Sequence, residues 1–68
     1  MSVYKVIEII GTSTTSWEEA ASSAVVKARE SLRDLRVAEV VKQDLDIGAD
    51  GAVTYRTKLS VSFKYEDS

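Results

Sequence analysis

The sequence predicts an α+β fold: a β-α-β-β domain in which a three-stranded antiparallel sheet of order 1-3-2 wraps around one helix. Three observations carry this. A β-branched run near the N-terminus ends at Gly11. A segment opened by a polar cap then repeats apolar residues at spacings of three and four. The last part of the chain alternates apolar and polar residues far beyond the usual strand of about 5 to 6 residues.

The first strand is read over Val3–Ile10, short and largely buried, and Gly11 with the polar run Thr12–Ser16 forms a loop. Ser16-Trp17-Glu18-Glu19 has the form of a capping box. In that motif the Ser16 hydroxyl accepts from the Glu19 backbone N–H, and the Glu19 carboxylate reaches back to the Ser16 N–H. From there Trp17, Ala20, Ala21, Ala24, Val25, Ala28, Leu32 and Leu35 make one apolar stripe, so the helix is expected to run to about Leu35. Lys27, Glu30, Arg33 and Asp34 take the opposite face. Alanine in the middle of the stripe lets the helix lie close to a sheet.

Val37–Ile47 is the second strand, and Gly48-Ala49-Asp50-Gly51 is a turn whose glycines can take positive φ. In the third strand Val53, Tyr55, Thr57, Leu59, Val61, Phe63 and Tyr65 point one way, while Thr54, Arg56, Lys58, Ser60, Ser62 and Lys64 point the other. One face is core and the other polar. Strand one, helix and strand two form a β-α-β unit with a right-handed crossover. Inserting strand three between the outer two leaves strands one and two as edges, and open edges need cover.

At 68 residues the chain reads as a single domain, 1–68, and a domain of this size buries only about 60% of the surface its unfolded chain exposes. Disulfides and Cys/His zinc sites are excluded because the sequence has no Cys and no His. Oligomerisation is the remaining route to stability, with an oxygen-ligated metal as a supplement. The same absences remove the usual nucleophile and base pairs, and no Gly-rich phosphate loop is present, so an enzyme is not expected. Nine basic against eleven acidic residues, with no basic run, argue against nucleic acid. No apolar stretch approaches the about 20 residues of a bilayer span, and the first residues lack the pattern of a signal peptide. A cytoplasmic protein that neither crosses nor anchors to a membrane is expected.

The segments Tyr4–Ser13, Ser16-Trp17-Glu18, Glu39-Val40 and Val61–Asp67, in this order and over the whole chain, resemble the dodecins. The resemblance implies a single dodecin-like domain and a hollow homododecamer of cubic symmetry built from trimers. It also implies storage or sequestration of a flavin (riboflavin, FMN) or related coenzyme without turnover. In flavin-binding members a Trp early in strand two stacks on the ring system and a Gln in strand three bonds its polar edge. The matching positions here hold Val37 and Arg56. Valine offers no stacking face, a loss of roughly 0.5 to 1.5 kcal/mol beyond area burial. Arginine presents donors alone where glutamine presents both a donor and an acceptor. Flavin binding is therefore expected to be weak or absent.

Ser2–Ile7, Thr15–Glu18 and Thr54–Arg56 further resemble the calcium-binding dodecin-like subgroup of actinobacteria, which implies calcium as the ligand. Calcium takes six to eight oxygen ligands, and no EF-hand loop is present. One carboxylate repeated about a symmetry axis can build such a site. Glu18 is a candidate metal ligand or simply an anion at a helix start. Glu8, inside an apolar strand, requires a partner: an interface Arg or Lys, a metal, or solvent in the shell's cavity. Glu19 is read as a cap. Arg56 is read as an intersubunit ion-pair partner or a group that binds an anionic ligand. Trp17 is assigned to core or interface, and Tyr55, Phe63 and Tyr65, on the inward register, to the core. Asp44, Asp46 and Asp50 are solvated or attract a cation.

Overall fold

The computed structural model describes residues 2–66 and shows four elements: β1 (Val3–Ser13), α1 (Trp17–Arg29), β2 (Leu35–Ile47) and β3 (Val53–Glu66). They form one sheet of order β1-β3-β2, with both outer strands antiparallel to β3. The α+β expectation and the strand order hold.

The helix starts where the sequence places it, and its first turn is built differently. Ser16 Oγ accepts from the Glu19 N–H at 3.0 Å. The Glu19 carboxylate does not reach back to Ser16; it accepts from the Ser13 hydroxyl at 2.6 Å. Ser13 Oγ in turn accepts from the Thr15 and Ser16 N–H groups, tying the end of β1 to the helix start.

Three boundaries differ from expectation. β1 continues through Gly11 to Ser13, because Gly11 pairs with Thr57 and Ser13 with Tyr55, and much of the strand is exposed rather than buried. The helix ends at Arg29 with Glu30 as its cap, not near Leu35, so Arg33 and Asp34 lie in a connector. The Ser31 and Leu32 N–H groups both close onto the Ala28 carbonyl, tightening the last turn. Leu35 already belongs to β2, opposite Phe63, so cross-strand burial claims the residue that the helical spacing also fits. β2 carries two irregularities, between Leu35 and Val37 and between Val40 and Lys42.

The hairpin turn is as expected: Gly51 takes φ 87°, its N–H bonds the Gly48 carbonyl, and the Asp50 carboxylate accepts from the Ala52 N–H at 3.0 Å. Ala20, Ala24, Leu59 and Val61 form the buried apolar core, with Ile7, Ile9, Ala21, Val25 and Leu35 packed around it. Thr57 is fully buried beside them, and its hydroxyl donates to the Trp17 carbonyl at 3.0 Å. Tyr55 and Phe63 are half-buried on the helix side; the side chain of Tyr65 lies outside the described residues.

The helix packs on β1 and β3 and only grazes β2. A 13-residue helix is about 20 Å long, whereas the 14-residue β3 spans about 46 Å, so much of the sheet has no helical cover. The molecule is correspondingly elongated, 52 × 20 × 16 Å. Among the described residues no helix is long and apolar enough to cross a membrane.

Candidate functional site on the helix-free face of the sheet

Strand alternation sends the core residues of β3 toward α1 and its polar residues to the opposite face. Arg56, Lys58, Ser60 and Ser62 therefore share the helix-free face with their partners: Thr12, Ile10, Glu8 and Val6 on β1, and Asp44, Lys42, Glu39 and Val37 on β2. Both positions singled out for the flavin site, Val37 and Arg56, lie on this face. They are not neighbours. Val37 stands opposite Ser62 and Arg56 opposite Asp44, six positions apart along β3, or roughly 20 Å. One small molecule cannot touch both within one chain.

Arg56 is held by a bidentate pair with Asp44, Nε to Oδ1 at 2.7 Å and Nη2 to Oδ2 at 3.0 Å. The pair is within the chain, across the hairpin. It lowers the Asp44 pKa, chiefly through the hydrogen bonds from Arg56, and raises that of Arg56 for the same reason. The backbone beneath is anchored too. Trp17 Nε1 donates to the Asp44 carbonyl at 3.1 Å, and the Trp17 ring meets Tyr55 edge-on at 5.1 Å. Trp17 is thus the point where the helix start grips β2.

Glu8 finds its partner in Lys58, Nζ to Oε1 at 3.2 Å, diagonally across β1 and β3 within the same chain. Glu18 is exposed on the first turn of α1, on the other side of the sheet. The two candidate metal ligands are therefore not brought together. Among the described residues no group of three or more Asp or Glu could hold a metal ion. The described residues of one chain do not supply the oxygen-rich shell calcium requires. The sequence leaves Asp44 as a solvated or cation-attracting carboxylate near the hairpin, and its pairing with Arg56 was missed.

These features define a small β-α-β-β module with one bare sheet face and a core too short for its sheet. A family model described as Dodecin matches residues 3–66, and the chain belongs to the dodecin family. It is 62% identical over 64 residues to calcium dodecin of Mycobacterium tuberculosis, covering 94% of this chain and 90% of that one. The crystal structure of that calcium-chelating antigen, described as having a novel calcium-binding site, superposes with a TM-score of 0.89 and covers 98% of this chain and 96% of its own. A dodecin of Thermus thermophilus is 38% identical, over 97% of this chain and 96% of that one. The structure of a dodecin from Streptomyces coelicolor, 34% identical, also gives 0.89, over 98% and 96%.

Proposed function

We propose that this chain is a non-enzymatic subunit of a hollow homododecamer built from trimers, and that the assembly holds calcium rather than flavin. The observation that carries the reading is the 62% identity to a calcium dodecin over nearly the whole chain. The geometry supports it from two sides. Val37 presents an aliphatic side chain, 61% exposed, where stacking would need an aromatic ring. Arg56 turns its Nε–Nη2 edge to Asp44 and offers no acceptor to a flavin N–H. Because the described residues of one chain gather no metal cluster, calcium would be bound between subunits, each contributing a carboxylate to a site completed by symmetry. Glu18 is our first assignment, since it is exposed; Glu8 is the second, since Lys58 already holds it.

A second reading is a storage dodecin that retains weak flavin or coenzyme binding. The placement of Val37 and Arg56 on one face favours it, because copies of the chain could bring the two positions together.

Native mass spectrometry, with and without a chelator, tests both. Twelve subunits carrying calcium-sized increments that the chelator removes, and that Glu18→Gln diminishes, support the calcium shell. Flavin-sized increments after incubation with riboflavin, together with an absence of calcium, would replace it with the second reading. A monomer under all conditions overturns both.

A further inference from the structure

Beyond that reading, the helix-free face carries an electrostatic conflict. Lys42 on β2 lies directly opposite Lys58 on β3, and like charges facing each other across strands are destabilising. The two lysines line one small cavity, about 120 Å³, with Ile10, Asp44 and Arg56. Its carboxylates are already engaged: Asp44 by Arg56 and the neighbouring Glu8 by Lys58. Among the described residues Lys42 makes no hydrogen bond or ion pair, although Asp44 feels its charge. Arg56 spends two of its five N–H donors on Asp44. The cavity therefore combines two lysines from facing strand positions, Lys42 unpaired and Lys58 with one donor spent on Glu8, and spare guanidinium donors, around a space too small for a ring system to enter whole.

We infer that Lys42, Lys58 and Arg56 form a binding site for a tetrahedral oxyanion of the phosphate type. The anion bridges the two ammonium groups, converts their repulsion into two charge-assisted hydrogen bonds, and takes a third from the free edge of Arg56. Asp44 stays in place, keeping the guanidinium aimed across the strands. Ile10 lines one side as an apolar wall. The cavity is open enough for the anion to be either free phosphate or the end of a phosphomonoester.

The test is calorimetric titration of the full-length, chelator-treated protein with inorganic phosphate, using chloride at matched ionic strength as the reference. Removing calcium first makes the outcome independent of the calcium reading. Saturable binding in the millimolar range is expected with phosphate and not with chloride. Lys42→Gln is expected to weaken it by about tenfold, as for loss of one hydrogen bond to a charged group, while Lys27→Gln, out on the helix surface, leaves it unchanged. Lys42→Gln also removes the like-charge pair, so its fold is not at risk. Glycerol phosphate binding with the same dependence on Lys42 extends the site to phosphomonoesters; binding of phosphate alone restricts it to the free ion. Phosphate that behaves as chloride does, or a Lys42→Gln protein that binds as the wild type does, overturns the inference.

Discussion

Gly11 shows how a single residue sets the distance between helix and sheet. A Cβ there would overlap the Ala20 carbonyl and come within 2.9 Å of the Ala24 methyl, so only glycine lets α1 settle on β1. Alanine at Ala20 and Ala24 completes the close approach. Overpacking a well-filled core typically costs about 1–3 kcal/mol, and backbone cannot rotate aside as a side chain can. Gly11→Ala is therefore expected to destabilise by about 3 kcal/mol, measured by urea denaturation. Asp44 carries a different residue-scale prediction. Its folded-state pKa is lowered, so its ionised form stabilises the fold above the unfolded-state pKa, and that contribution disappears as pH falls through the folded-state value. Asp44→Asn should then lower the denaturation midpoint at neutral pH, and the gap to wild type should close in strong acid. A gap of constant size across that range would mean that the pair with Arg56 contributes nothing through charge.

At the scale of elements, the parts legible in the sequence were those set by local chemistry. The alternation of β3, the Ser16 cap and the Gly48–Gly51 turn each specify their own geometry. What was missed depended on tertiary competition. Leu32 and Leu35 fit a helical stripe, yet Leu35 gains more by facing Phe63, and the chain leaves the helix to let it do so. Asp34 marks the reversal: it takes φ 58°, and its carbonyl accepts from the Lys64 N–H. Left-handed backbone is tolerated by Asp and Asn and costs most other residues about 1–2 kcal/mol. Asp34→Gly should thus be neutral or slightly stabilising, whereas Asp34→Val should lose about 1–2 kcal/mol by thermal or urea denaturation. Equal effects of the two would show that φ is not what selects Asp there. The site divides the same way. Counting outward from the turn, Ile47 opposite Val53, brings Asp44 opposite Arg56, so that pair was available from the sequence. No short turn fixes the register of β1 on β3, and the pairing of Glu8 with Lys58 was therefore visible only in the fold.

For the whole molecule, the decisive relation is between a short helix and a long sheet. Val26 on the helix, and Val40, Leu45, Ile47 and Val53 on the part of the helix-side sheet face that the helix does not reach, remain exposed, with Ile47 at 69%. The groove between α1 and β2, lined by Ala21, Val25, Val26, Ala38 and Val40, is open along one side. A domain of this size has little core to spare, and exposed apolar surface of this continuity is what an assembling subunit presents. If neighbouring subunits fill the groove, as the proposed dodecamer requires, folding and assembly are one equilibrium and the melting temperature must rise with protein concentration. Val40→Glu places a carboxylate in the groove at a half-exposed position beside Leu59, leaving the buried Leu59 and Val61 themselves unsubstituted. It is expected to shift the mass seen by light scattering from twelve subunits to smaller species and to lower the melting temperature most at low concentration. A Val40→Glu protein that keeps both its mass and a concentration-independent melting temperature would place the subunit contacts elsewhere, leaving the bare β1 and β2 edges as the surfaces that meet.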